Sequence, residues 1–156
     1  MAIRPEYSRA RNYVFRLIKI RLRSEKELRD RLEQREYSQP IIDQTVSEFK
    51  AAKLVNDRLF AEKWIAYRLS RPFGKERIRY ELKQKGIAAG VIADELNKAF
   101  AAYEEGDVIT ALVNKQKKKY QRIDPVKAKQ RLYGFLQRRG FNTGAIQKAL
   151  NHYENE

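Results

Sequence analysis

The chain contains no cysteine and a single histidine, His152, among its 156 residues. Without cysteine there can be no disulfide framework, no Cys-ligated zinc and no thiol nucleophile, and this composition is typical of proteins in a reducing cytosol. One histidine cannot build a His-based metal or acid–base site, so His152 is interpreted as a surface side chain. We therefore expect a cytoplasmic protein.

Long apolar runs and glycine-rich loops are also missing. The opening stretch MAIRPEYSRARNYVF has no apolar segment of the signal-peptide kind, and no run reaches the length of a membrane span. Gly74-Lys75 lacks the preceding glycine of a phosphate-binding loop, and no dinucleotide-binding fingerprint occurs. The sequence predicts a binding protein with no membrane contact and no cofactor, and not an enzyme.

One acidic cluster allows two interpretations. Glu104, Glu105 and Asp107 could provide carboxylate ligands for a hard cation. Acids at the start of a helix also interact favourably with its dipole, and this second interpretation is the one we favour. No metal site is predicted.

Positive charge is what the chain has in excess. Lys and Arg number 34 against 20 Asp and Glu, for a net charge of +14. The surplus is spread evenly, with +5 in residues 1–56, +4 in 57–103 and +5 in 104–156. A surplus of this size indicates a polyanion or an acidic protein surface as the partner, used along the length of the chain.

A threefold repeat organises the sequence. Leu28, Leu32, Ile42 and Val46 recur fifty residues later as apolar residues, and the later set recurs again after fifty-four residues. Each copy shows helical spacing with no two-residue alternation, which predicts an all-α fold of three tandem three-helix repeats, elongated or curved. We expect an N-terminal lead and repeat 1 in residues 1–55, repeat 2 in 56–103 and repeat 3 in 104–156.

Capping residues and glycines predict where the helices begin and end. Ser24 and Glu27 form a capping box, Asn56 or Asp57 caps the first helix of repeat 2, and Asp124-Pro125 opens the second helix of repeat 3. Gly86 and Gly140 are predicted to end second helices in the left-handed conformation. Repeat 1 has Glu36 at this place, so its turn must be strained or built differently.

The second helices carry most of the basic side chains. A solvated face with pairs such as Glu27–Arg31 and Glu81–Lys85 is one interpretation, and contact with phosphates or carboxylates is the other. A basic run, KQKKKY at 115–120, allows the same choice between helix dipole and phosphate contact. The candidates chosen from these segments are Arg29, Arg31, Arg35, Lys75, Arg77, Arg79, Lys83, Lys85, Lys118, Lys119, Arg138 and Arg139.

The third helices argue against sequence-specific DNA recognition. A helix after a short turn resembles the recognition helix of a helix-turn-helix protein, which must donate to base edges. Here that helix carries acids, among them Asp43, Glu48, Asp94 and Glu95, which would repel phosphates. Phe60, Trp64 and Tyr67 form a helical stripe that favours core packing over base stacking.

The stretch NDRLFAEKWIAYRLSRPFGKERIRYELKQKGI, residues 56–87, resembles the signature block of the RecX family. SEKELRDRL before it and LYGFLQRRGF after it are also similar to that family, while the lysine run of repeat 3 is not. The resemblance implies three three-helix repeats and a regulator of the RecA recombinase. It adds Arg68 and Arg71 to the candidates and supports Arg77, Lys83 and Lys85.

The family's activity implies an inhibitor that binds RecA or its filament on single-stranded DNA and lowers ATPase and strand-exchange activity. We expect a monomer with weak direct DNA binding. Two alternatives stay open: a non-specific DNA-binding protein that contacts phosphates through the second helices, and a helical-repeat adaptor with a purely structural role.

Overall fold

The computed structural model describes residues 5–153, and the first four residues of the predicted N-terminal lead lie outside that range. The described residues form helices and no strand. The helices are α1 Pro5–Ile20, α2 Glu25–Glu33, α3 Gln39–Ala51, α4 Asp57–Leu69, α5 Lys75–Gln84, α6 Ala89–Phe100, α7 Glu105–Tyr120, α8 Pro125–Arg138 and α9 Thr143–Tyr153. This confirms the all-α prediction and the three helices in each repeat. The predicted elongated shape and the boundaries after residues 55 and 103 stay predictions.

The repeated apolar positions are buried in each copy, as the repeat requires. Leu28, Ile78 and Leu132 occupy equivalent places and are all 0% exposed. The same holds one helical turn later, and on the third helix the equivalent side chains are at most 3% exposed. These further buried positions are Leu32, Leu82, Leu136, Ile42, Ile92, Ile146, Val46, Leu96 and Leu150.

The predicted helix caps are present. Ser24 accepts from the backbone N–H of Glu27, and the Glu27 carboxylate accepts from the backbone N–H of Ser24. Asn56, and not Asp57, caps α4 by accepting from the N–H of Leu59 at 3.1 Å. Asp124 caps α8 by accepting from the N–H of Lys127. These contacts satisfy amide groups that the first helical turn leaves without partners.

The turn after each second helix is the same in all three repeats. Glu36, Gly86 and Gly140 have φ values of 59°, 76° and 83°. In each turn the residue that follows donates its N–H to the carbonyl five residues earlier, as Ile87 does to Leu82 at 3.1 Å. This is the left-handed helix ending predicted for the glycines. Repeat 1 builds it from Glu36 at a steric cost that glycine avoids.

The described chain divides into two compact units. The first contains the described residues up to Trp64 together with Leu82–Ala93, and its core is formed by α1, α2 and α3 around Phe49. The second contains Ile65–Glu81 and the described residues from Asp94 onward, and its core lies between α7, α8 and α9. No helix among residues 5–153 is both long and apolar enough to cross a membrane.

One predicted core position is wrong. Tyr67 is 46% exposed, although it shares a helical stripe with the buried Phe60. Between them, Trp64 is half-buried and stacks parallel to the ring of Phe60 at 6.0 Å.

Candidate partner-binding surface

The basic side chains of α2 are largely neutralised within the first compact unit. Arg29 binds the carboxylates of Asp43 at 2.6 Å and Glu25 at 3.2 Å. Lys26 binds Asp30 at 2.6 Å, one helical turn further on. A cation that already holds an acid at this distance has less to gain from an external anion.

Glu27 and Lys85 form the most protected ion pair of the first unit. Lys85 Nζ lies 2.8 Å from Glu27 Oε1 and 4.5 Å from the centre of the Trp64 ring. The backbone carbonyl of Lys85 accepts from Ser24 Oγ at 2.7 Å, which ties the α5–α6 turn to the start of α2. Lys85 therefore anchors this turn to α2.

The pKa of Glu27 reflects these partners. Burial opposes ionisation of its carboxyl group, but hydrogen bonds from Arg21, Lys85 and the backbone of Ser24 outweigh burial and lower the pKa to about 2. One interpretation of the second helices paired Glu27 with Arg31 and Glu81 with Lys85. The structure instead pairs Glu27 with Arg21 and Lys85, and Glu81 with Arg68 and Arg77.

In the second compact unit Arg68 and Arg77 share one acid. Glu81 accepts from Arg68 at 2.7 Å and from Arg77 at 3.0 Å, and its side chain is only 10% exposed. The guanidinium of Arg68 also lies 4.8 Å from the ring centre of Phe73. Arg68 is 21% exposed against 47% for Arg77, so the first is mainly structural and the second is accessible from one side.

Arg139 closes the loop before α5. Its guanidinium donates to the backbone carbonyls of Arg71 and Pro72, both at 3.1 Å, and lies over the rings of Phe73 and Phe135. Its own carbonyl accepts from the N–H of Gly74 at 2.7 Å. A residue this fully engaged serves packing, although the sequence suggested a partner contact.

Four further candidates have weaker internal contacts. Lys75 reaches Asn97 at 3.4 Å, and Arg79 reaches Glu76 at 3.5 Å. Arg35 stacks on Tyr13, and Arg71 stacks on Tyr67. Such contacts at exposed positions are worth little and leave the charge available.

The remaining candidates have no internal partner. Within residues 5–153 their side chains are exposed and form no ion pair, hydrogen bond or ring contact. They are Arg31, Lys83, Lys118, Lys119 and Arg138. Four cations of α7, α8 and the turn between them, which sequence reasoning did not select, have the same character, namely Lys115, Arg122, Lys127 and Arg131. The signal that could have found them is the shortage of acids around them in the sequence.

The predicted acids of the third helices are engaged inside the protein. Asp43 binds Arg29, and Glu48 binds Arg11 at 2.8 Å. Glu95 is 6% exposed and pairs with Lys98. These side chains are therefore not available to hydrogen-bond base edges, in agreement with the argument against a recognition helix.

The acidic cluster at the start of α7 is not assembled as a metal centre. Among the described residues no three His, Cys, Asp or Glu side chains are grouped to hold a metal ion. Glu104 is exposed and Glu105 is half-buried. Burial raises the pKa of Glu105, partly offset by a hydrogen bond from the backbone of Asn142. A carboxyl group that resists ionisation is a poor cation ligand.

These features define a protein of three successive three-helix repeats, stabilised by internal ion pairs and covered with basic side chains. Family models of RecX match all three repeats: the first three-helix domain at residues 10–49, the second at 56–96 and the third at 103–150. The chain belongs to the RecX family.

Individual relatives agree with this membership. "Regulatory protein RecX" of Pasteurella multocida is 33% identical over 150 residues, which cover 96% of this chain and 90% of that protein. The protein of the same name from Chlorobium phaeobacteroides is 32% identical over 146 residues, with 92% of each chain covered. The crystal structure of RecX from Lactobacillus salivarius superposes with a TM-score of 0.81 over 99% of this chain at 18% identity, which shows a shared fold.

Proposed function

We propose that this protein is a non-enzymatic regulator of the RecA recombinase. In this proposal it binds RecA or its filament on single-stranded DNA as a monomer in the cytoplasm and lowers ATPase and strand-exchange activity. The observation that carries the proposal is that all three family domains follow one another along the chain. Relatives that are at least 31% identical over 92% or more of this chain bear the name of a regulatory protein.

The charge distribution supports an electrostatic mode of binding. Exposed cations without internal partners, such as Arg31 and Lys83, can meet acidic groups of a partner without first breaking an ion pair. The candidates that support the fold contribute indirectly, because they hold the helices that display these cations. They are Arg29, Arg68, Lys85 and Arg139.

The test is the rate of ATP hydrolysis by RecA on single-stranded DNA, titrated with this protein. We expect the parent to lower the rate, and Arg31→Glu combined with Lys83→Glu to weaken inhibition. Each charge alone should change binding by about 1 kcal/mol or less, because exposed ion pairs are individually weak. Inhibition should also decrease as salt rises, since salt screens exposed charges.

The matched control reverses Arg16 and Lys19, which are exposed on α1 and give the same change in net charge. Reversal of Lys85 is unsuitable because it would place a carboxylate against Glu27 and disturb the fold. The proposal is wrong if the parent leaves RecA turnover unchanged at every ratio. If the two double variants lose inhibition equally, the binding depends on net charge and not on a specific surface.

A further inference from the structure

The end of α7 and one face of α8 form a basic groove in the second compact unit. The groove has a volume of about 670 Å³. It is lined by Tyr120, Lys127, Gln130, Arg131, Gly134 and Arg138. On α8, Lys127, Arg131, Gly134 and Arg138 follow helical spacing and share a face, while Ala128, Leu132 and Leu136 are buried in the core. The helix therefore separates a packing face from a charged face.

Most cations of this region have no internal partner among the described residues. Residues 115–139 contain ten Lys and Arg and a single acid, Asp124. The Asp124 carboxylate accepts from the backbone N–H of Lys127 at 3.1 Å as the cap of α8. Among the described residues, seven exposed cations of this stretch form no side-chain hydrogen bond, ion pair or ring contact. They are Lys115, Lys118, Lys119, Arg122, Lys127, Arg131 and Arg138.

Comparison of equivalent repeat positions shows how this surplus arises. The helix α2 carries an acid at four positions, and α8 carries none at the four equivalents. The equivalent pairs are Glu25 and Lys129, Glu27 and Arg131, Asp30 and Gly134, Glu33 and Gln137. The core positions between them keep their apolar residues. The exchange therefore changes the surface and leaves the core as it is.

We propose that this groove binds the sugar–phosphate backbone of a nucleic acid strand. Cations that lack internal partners can neutralise phosphates and release the condensed counterions, which is the main source of non-specific affinity. Lys127 and Arg138 are separated by about 16 Å along the helix at 1.5 Å per residue, enough for several phosphates. Tyr120 adds a half-buried aromatic ring to the lining, and grooves for single strands commonly combine basic side chains with aromatic rings.

An acidic protein surface is the less suitable occupant. Stable protein partners bury an apolar centre, whereas the lining of this groove is basic and polar apart from the half-buried ring of Tyr120 and Gly134. Gly134 also keeps the middle of the groove open, because a Cβ atom there would lie 3.1 Å from the guanidinium of Arg138. This site goes beyond the proposed function, because it requires no recombinase.

The test is fluorescence anisotropy of a labelled 15-nucleotide oligo-dT with this protein alone, between 0.05 and 0.3 M salt. The variant Lys127→Gln/Arg131→Gln/Arg138→Gln should bind at least about ten-fold more weakly at the lowest salt. The slope of log K against log salt should become shallower by about 2, since each single-strand phosphate contact contributes about 0.7. A second variant, Lys118→Gln/Lys119→Gln, should weaken binding in the same direction.

The matched control is Arg9→Gln/Arg16→Gln/Lys19→Gln, which removes three exposed cations of α1 and the same net charge. We expect it to bind within about three-fold of the parent, since none of these side chains lines the groove and a charge outside the groove acts only through the screened field. Circular dichroism checks that each variant keeps its helices. Equal losses in the groove variant and the α1 control overturn the proposal. Displacement of the oligonucleotide by polyglutamate at equal charge concentration also overturns it, in favour of an acidic protein partner.

Because no recombinase is present, the result is independent of the proposed function. A groove that binds DNA in a protein that never alters RecA turnover would sustain this inference and contradict the regulatory proposal. A groove variant that still inhibits RecA at parental strength and still binds DNA as the parent does would contradict this inference and sustain the regulatory proposal.

Discussion

The segments α2–α3 and α8–α9 are copies of one repeat, yet they treat charge in opposite ways. In α2–α3 most cations hold acids of the same unit, as Arg29 holds Asp43 and Lys26 holds Asp30. In α8–α9 the equivalents of those two acids are Gln147 and Gly134, and Arg131 stands where α2 has Glu27. The turns share one conformation but differ in the residue that adopts it, with Glu36 in one and Gly140 in the other. The same three-helix scaffold thus carries one face whose cations are paired internally and one whose cations are available to an external anion. This is possible because burial constrains the apolar core positions and leaves the surface positions free to vary.

The largest effect is expected at Gly140. Its φ of 83° disfavours any side chain, and a Cβ atom there would lie 2.2 Å from the backbone nitrogen of Arg77. Gly140→Ala should lower the free energy of unfolding by about 4 kcal/mol, from left-handed strain and a clash with backbone that cannot yield. Urea unfolding measures the loss.

Smaller effects are expected at two other glycines, which serve as comparisons for Gly140. At Gly86 a Cβ atom would meet the flexible side chain of Lys26, so Gly86→Ala should cost about 2 kcal/mol. Gly106 lies within α7 with open space around it, and Gly106→Ala should be neutral or stabilising. Equal stability of the three variants would show that close backbone approach does not govern these turns.

The next largest effect concerns Glu27, whose side chain is 16% exposed. Glu27→Ala removes half of the capping box and leaves Lys85 without its acid, so the free energy of unfolding should fall by about 3 kcal/mol. Thermal and urea unfolding are the measurements. Arg131→Ala at the equivalent place in α8 should change stability by less than about 0.5 kcal/mol, since that side chain holds nothing internal. Similar losses at both positions would contradict the contrast between the two helices.

The lowered pKa of Glu27 predicts that the stability of the protein depends on pH. The pKa of Glu27 is lowered from 4.5 to about 2 in the folded protein, so its stabilisation is present above pH 4.5 and is lost as pH falls through 2. The stability difference between the parent and Glu27→Gln should shrink by about 2 kcal/mol between pH 7 and pH 3. A difference that stays constant over this range would mean that the carboxylate is not held by Arg21 and Lys85.

The smallest effect is expected at Glu36. Replacement by glycine relieves the left-handed strain but adds freedom to the unfolded chain, so Glu36→Gly should stabilise by about 0.5 kcal/mol. Glu33→Gly, at the last residue of α2, should instead destabilise by about 1 kcal/mol, because it weakens the helix end and removes the acceptor of Gln39. Differential scanning calorimetry of both variants checks the sign, and a destabilised Glu36→Gly would show that its side chain contributes more than its backbone strain costs.

Several outcomes could be predicted from local sequence. The capping box at Ser24, the cap at Asp124 and the turns at Gly86 and Gly140 depend on residues within a few positions of one another, and all are confirmed. Tyr67 was wrong because helical spacing fixes which residues share a face but not where the neighbouring helix stops covering it. The partner-binding role of the basic residues stays a prediction.

The sequence by itself determined the fold class, the three repeats, the helix ends and the net charge of +14. Apolar periodicity and capping chemistry act over one or two helical turns, so they can be read along the chain. Only the tertiary structure decided which cations are available. Lys85 and Glu27 are 58 residues apart in sequence, so helical spacing could not pair them. Folding brings Lys85 Nζ to 2.8 Å from the Glu27 carboxylate. Arg131 and Arg138 stay free because folding places no acid of the described chain beside them.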